Sequence, residues 1–220
     1  MGVEVLIVVL ALLVGLLSGF LVGRSGKKVR YLGRYWEKEK YTAAIHEAGH
    51  AIVAWSSPYI KSIDTVNVDK GSGVIHHTMT YSSESEFKAT WHEVAICFGG
   101  IAAELAVKGN FHSSQSKKDI LLARENASNI IRGGCETEPP WKGMDHTDSM
   151  LDPGKVFKKG TLTIREKHVL RRGYARAYHI IHKHRKKVDV LAEMLLEKGK
   201  LEEGDVQRVL GSNLWIKICR

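Results

Sequence analysis

The sequence predicts a mainly α protein with a small β-hairpin, carried behind one transmembrane helix. Three observations predict it. The run Val3 to Val22 is apolar except for Glu4 and Ser18. Apolar residues recur at helical spacing through most of the chain beyond residue 41. One region, Ile60 to Tyr81, alternates with a period of two instead.

The elements follow in order. Val3 to Val22, wound as a helix, rises about 30 Å, the thickness of a bilayer core. A cleaved leader would need a basic start, whereas this chain begins Met-Gly-Val-Glu. N-myristoylation is disfavoured by Leu6, which stands where that motif takes Ser or Thr. Arg24, Lys27, Lys28, Arg30 and Arg34 follow the apolar run. By the positive-inside rule they place the rest of the chain on the cytosolic side, or the matrix or stromal side of an organelle. Gly15, Gly19 and Gly23 repeat every four residues and offer a self-association face, which predicts a homo-oligomer. The chain then divides into a membrane helix (1–23), a basic connector (24–40), a folded domain (41–212) and a short tail (213–220).

Within the domain, Tyr41 to Ser56 reads as a helix with Thr42 as N-cap and an apolar face of Ala44, Ile45, Ala48, Ala51, Ile52 and Trp55. The segment from Ile60 to Tyr81 reads as a hairpin turning at residues 69–73. Ser83 to Lys108 is a helix with a buried stripe from Phe87 to Leu105; Gly99-Gly100 interrupts it and marks a close helix contact. Gly109 to Ser116 reads as a loop and Lys117 to Arg132 as a helix. The stretch 133–160, with Pro139-Pro140 and Pro153, is irregular and long for a compact domain. Helix resumes from Thr161, with later apolar-periodic segments at Val188–Leu196 and Gly204–Leu210.

Composition excludes several classes. The three cysteines, Cys97, Cys135 and Cys219, are scattered and form no CxxC pair, which argues against a disulfide framework and suits a reducing compartment. The net charge of +9 is concentrated between Lys155 and Lys187, where Glu166 is the sole acid. Leu170, Tyr174, Ala177, Tyr178 and Ile181 leave these charges on the outer face of a helix. No nucleic-acid-binding module surrounds them, so no nucleic-acid partner is expected.

The chemistry lies in five residues, His46-Glu47-Ala48-Gly49-His50, an H-E-x-x-H pattern. Residues four apart share a helix face, so His46 and His50 can grip one metal ion. Glu47 then lies beside the open coordination position, as the general base of a zinc peptidase requires. Gly49 costs the helix about 1 kcal/mol relative to Ala, which indicates a neighbour packed on its backbone. A third ligand is needed. The residues offer Glu104, Asp119 and the cluster His179, His182, His184, of which the histidines read as solvated surface. Asp119 falls in the first turn of a helix, from which a carboxylate can point at a metal. Glu104, inside an apolar helix, could instead orient a ligand.

HEAGHA at 46–51, GGIAAE at 99–104 and the acid of KKDI at 119 together resemble the peptidase domain of the FtsH family of membrane-anchored zinc proteases. The likeness runs from about residue 38 to 210. It implies a zincin-like helical peptidase domain at 41–212, Zn²⁺ as cofactor, His46, His50 and Asp119 as its ligands, and Glu47 as the catalytic acid–base group. It also implies oligomers. The chain departs from the family pattern in two places: Ser114-Gln115-Ser116-Lys117-Lys118 replaces the usual residues before the Asp, and no G-x-x-x-x-G-K-[ST] phosphate loop occurs in these 220 residues. The expected function is therefore a membrane-anchored zinc metalloendopeptidase without its own ATPase. It would cleave unfolded or flexible polypeptides through a zinc-activated water, alone or fed by a separate ATPase partner. The alternative is a non-catalytic membrane adaptor that binds peptides or a partner protease, and a weaker rival is a nucleic-acid binder built on 155–187.

Overall fold

Alanine, isoleucine and good helix formers dominate the segment around the H-E-x-x-H motif, and it forms the most deeply buried helix among the described residues. The computed structural model describes residues 38–69, 72–82, 85–111, 113–134, 139–141 and 162–211. The expected membrane span Val3–Val22, the connector up to residue 37, the tail 213–220 and most of 133–160 lie outside the described residues. Among the described residues no helix is long and apolar enough to cross a membrane.

Helix α1 covers 38–55. Lys38, Glu39 and Lys40 are competent helix formers, so the helix has begun before Thr42. Thr42 is therefore not the N-cap that the sequence suggested. It is a buried interior residue whose hydroxyl accepts a hydrogen bond from Lys108 Nζ at 2.9 Å. The predicted apolar face holds: Ala44, Ile45, Ala48, Ala51 and Ile52 are fully buried, while Trp55 is half-buried at the end.

Strands β1 (Ile60–Asp69) and β2 (Ser72–Met79) form the antiparallel hairpin, with pairs running from Ile60↔Met79 to Asp69↔Ser72. Irregularities between Ile60 and Ser62 and between Ile63 and Thr65 each shift the phase of the alternation, so Ile60, Ile63 and Val66 all turn inward despite their spacing of three. A third strand, β3 (Lys200–Glu202), pairs antiparallel to β1 through Thr65↔Glu202, Val66↔Leu201 and Asn67↔Lys200. The sheet order β2-β1-β3 leaves β2 on an edge.

The interruption expected at Gly99-Gly100 divides the predicted 83–108 helix into α2 (Glu86–Cys97) and α3 (Gly99–Lys108), which part at Phe98 just before the glycine pair. Helix α3 stops at Gly109 in the left-handed conformation (φ 73°), which glycine adopts without steric cost. Helix α4 (Ser113–Arg132) begins four residues earlier than predicted, so much of the expected Gly109–Ser116 loop is helical. Helix α5 (Ile164–Lys183) opens with a capping box. Thr163 Oγ1 accepts from the Glu166 N–H at 3.1 Å, and Glu166 Oε2 accepts from the Thr163 N–H at 2.7 Å. Helix α6 (Arg185–Lys198) ends at Gly199 (φ 75°), and α7 (Glu203–Leu210) follows β3.

Helix α2 packs on α4 and α5, and α3 packs on α5. Trp91, Phe98 and Tyr174 are the large side chains that fill the space between them. Gly173 lets α5 approach α2, because a Cβ there would lie within 3 Å of the Val94 side chain. These layers hold α1 so that one edge of it opens towards α4 and the hairpin.

Candidate metal centre

Helical spacing alone puts His46 and His50 on one face of α1, and the glycines of α1 and α3 decide what that face meets. A Cβ at Gly49 would lie within 3 Å of the Gly99 carbonyl and the Ala103 Cβ, and a Cβ at Gly99 within 3 Å of the Gly49 carbonyl. The two backbones are therefore in direct contact. One residue on, a Cβ at Gly100 would meet the His46 ring within 3 Å. The predicted close contact at Gly99-Gly100 is thus a contact with the motif helix itself, and it seats an imidazole.

Three groups converge. His46 Nε2 lies 3.0 Å from His50 Nε2 and 2.9 Å from Asp119 Oδ2, and His50 Nε2 lies 3.5 Å from the same oxygen. The rings meet edge to face. Asp119 reaches in from α4, in its second turn and not the first as predicted, because the helix starts earlier. Both imidazoles are oriented from behind. His46 Nδ1 lies 2.8 Å from Glu104 Oε1, and His50 Nδ1 lies 2.7 Å from the Ile96 carbonyl oxygen. A carbonyl can only accept, so His50 carries its proton on Nδ1, and Glu104 favours the same tautomer for His46. Neutral rings in these tautomers point two Nε2 lone pairs and a carboxylate oxygen at one another. Such an arrangement is repulsive unless a proton or a metal cation sits among them. The donor set fits a divalent metal ion of borderline softness, which takes imidazole and carboxylate together.

The electrostatics agree. Burial opposes a charge on His46, but hydrogen bonds to Asp119 and Glu104, with Glu47 close by, outweigh it and lift its pKa to about 9. Burial also opposes ionisation of Asp119, yet its hydrogen bonds to His46 and His50 hold it well below the usual carboxylate range. Glu47 is raised, chiefly by burial, against the pull of both histidines. The carboxylates that favour a proton on His46 make the same position attractive to a metal cation in its place.

Glu104 is fully buried, and its second oxygen lies 3.4 Å from Lys108 Nζ. The metal-capable group found among the described residues is His46, His50 and Asp119. Glu104 stands behind it as the orienting acid. His179, His182 and His184 are not brought to the site: His182 stacks on Tyr178, and His184 meets the edge of Trp55.

The group opens into a cleft of about 680 Å³. Its walls include Glu47, Gly73 to Ile75 and His77 of β2, Glu93, Ile96 and Cys97 of α2, and Lys118 and Leu122 of α4. A Cβ at Gly73 would lie within 3 Å of the Glu47 side chain and the Asn67 carbonyl, so the edge strand begins against Glu47. Sequence reasoning did not find the Ile96 carbonyl, the Gly73 contact or the His77–Glu93 pair. A glycine inside the turn signal was the sole trace of the second, and nothing in the letters signalled the other two.

A mainly helical protein with a small three-stranded sheet, holding a buried His–His–Asp group at the floor of an open cleft, has the makings of a metal-dependent hydrolase. Comparison with known proteins narrows the class. The ATP-dependent zinc metalloprotease FtsH of Thermotoga maritima is 28% identical over 190 residues, covering 79% of this chain and 31% of that protein. The mitochondrial ATP-dependent zinc metalloprotease FTSH 3 of Arabidopsis thaliana is 24% identical over 201 residues (86% of this chain, 24% of that protein). FtsH 3 of Symbiobacterium thermophilum is 26% identical over 204 residues (86% and 32%). The chain thus spans a quarter to a third of the length of these curated relatives. No family model matches it. Its likeness to FtsH zinc metalloproteases over about four fifths of its length is that of an FtsH-type peptidase domain, as the motifs indicated.

Proposed function

We propose that this chain is a membrane-anchored zinc metalloendopeptidase acting on unfolded or flexible polypeptides. The observation that carries the reading is the His46–His50–Asp119 group with Glu47 beside it in an open cleft. His46, His50 and Asp119 would hold the zinc, with Glu104 and the Ile96 carbonyl fixing the two imidazoles. Bound zinc supplies Lewis-acid chemistry, lowering the pKa of a water and polarising a carbonyl.

Glu47 does the proton work. Its carboxylate, buried and raised in pKa, accepts a proton from the attacking water and returns it to the nitrogen of the departing amine. The edge strand β2 offers unpaired backbone groups next to Glu47, and an extended substrate can add to them as a further strand. Such a mode admits unfolded segments and excludes folded ones. Anchoring through Val3–Val22, self-association through the glycine repeat, and action either alone or with a separate ATPase belong to the same reading.

Incubation of the zinc-loaded chain with casein, without ATP, tests it. Cleavage is expected for the wild type, while Glu47→Gln retains zinc and loses about 10²–10⁴-fold in turnover. Near-wild-type turnover by Glu47→Gln would overturn the assigned role. No cleavage by either chain, with zinc bound to both, would favour a peptide-binding adaptor.

A further inference from the structure

We propose that Glu93 is a specificity-determining residue, reading a cationic side chain of the substrate at the end of the cleft away from Glu47. This rests on the proteolytic reading above and names the kind of sequence that the cleft selects.

Gly73, Ile75 and His77 alternate along β2 and share one face of the sheet, the face that lines the cleft. They present three different surfaces to a peptide on the strand's free edge. At Gly73 there is no side chain, and Glu47 is reached directly. At Ile75 the wall is apolar. At His77, about 13 Å along the strand from Gly73, it is polar. His77 Nε2 lies 3.1 Å from Glu93 Oε1, which joins the edge strand to α2. Glu93 in turn is one helical turn before Ile96, whose carbonyl orients His50. The pair is therefore in the same cleft as the metal group, a few substrate residues away from the reacting bond.

The carboxylate is placed to take a second partner. Its side chain is 22% exposed, and among the described residues its other oxygen makes no hydrogen bond or ion pair. A partly desolvated carboxylate, held in position by one bond and open on the other side, favours an ammonium or guanidinium group, whose hydrogen bond is charge-assisted. The cleft's own cation, Lys118, belongs to the α4 wall beside Asp119.

The test uses the zinc-loaded full chain and a set of otherwise identical flexible peptides carrying Lys, Gln or Glu at each position within four residues of the cleaved bond. The readout is the ratio of kcat/KM for Lys over Gln at each position, with products assigned by mass. One fixed position is expected to favour Lys by about tenfold. Glu93→Gln is expected to bring that ratio to about one, and Glu93→Lys to turn the preference towards Glu. Equal ratios at every position, or a Lys preference that survives Glu93→Gln, overturns the assignment. Binding of the same fluorescent peptides to zinc-loaded Glu47→Gln separates this from the chemistry. If no peptide is cleaved, a Lys preference in binding that vanishes in Glu47→Gln/Glu93→Gln still supports the subsite while the proteolytic reading fails. Indifferent binding removes the subsite.

Discussion

At the scale of single residues, the site depends on which ring nitrogen carries a proton. Glu104 and the Ile96 carbonyl settle this for His46 and His50, and leave both Nε2 atoms facing inward. Glu104→Leu deprives His46 of its acceptor, so metal affinity is expected to fall about 10–100-fold, measured by competition with a chelator. Glu104→Gln, which still accepts through its amide oxygen, is expected to lose less. Equal affinity in Glu104→Leu and wild type would remove Glu104 from the site. His46, Glu47 and His50 were legible because a spacing of four is a face of a helix. Asp119 was not separable from Glu104 by chemistry, and its assignment as a ligand came from resemblance; the structure brings its oxygen to both imidazoles. The Ile96 carbonyl was illegible for a simple reason: a backbone oxygen has no letter, and its use depends on how α2 packs.

At the scale of elements, Gly49 has two opposed effects on its helix. Gly49 is a poor helix former, and replacing it with Ala would by propensity alone stabilise α1 by about 1 kcal/mol. A Cβ there, however, has no room against the Gly99 carbonyl and Ala103. Overpacking of this kind costs about 1–3 kcal/mol, and since backbone cannot swing aside, Gly49→Ala is expected to be net destabilising. Urea unfolding checks the sign, and a stabilised Gly49→Ala would mean that α1 and α3 do not touch. The helices and the hairpin were legible because their periodicities are long enough to read. Boundaries were less so. The start of α4 was hidden in the polar run from Ser113 to Lys118, which has no apolar stripe to announce a helix. Strand β3 was missed because three residues are too few for any period, and Lys200 and Glu202 flank a single buried Leu201.

At the scale of the whole molecule, the core carries a pH response away from the metal group. His92 is buried between Tyr59 and Trp141, where burial and the nearby Arg176 push its pKa down to about 3. In the unfolded chain it takes a proton below about pH 6.5. In the folded chain it stays neutral until about pH 3. The unfolded state thus binds more protons between these limits, and stability falls as the pH drops through that window. His92→Phe keeps an aromatic ring there and removes the proton, so its stability is expected to decline less than the wild type's between pH 6 and pH 4, by denaturant titration at each pH. Parallel declines would show that His92 is not held neutral. The mainly α class with a small sheet was legible from composition and period, but the closure of that sheet was not, since Thr65 and Glu202 are distant in the chain. That closure has a consequence in time. The strand that flanks the hairpin on the side away from the cleft is among the last parts of the described chain to be made. A growing polypeptide holds the whole H-E-x-x-H motif early in its synthesis, yet cannot complete the sheet beside it until residue 202 has emerged.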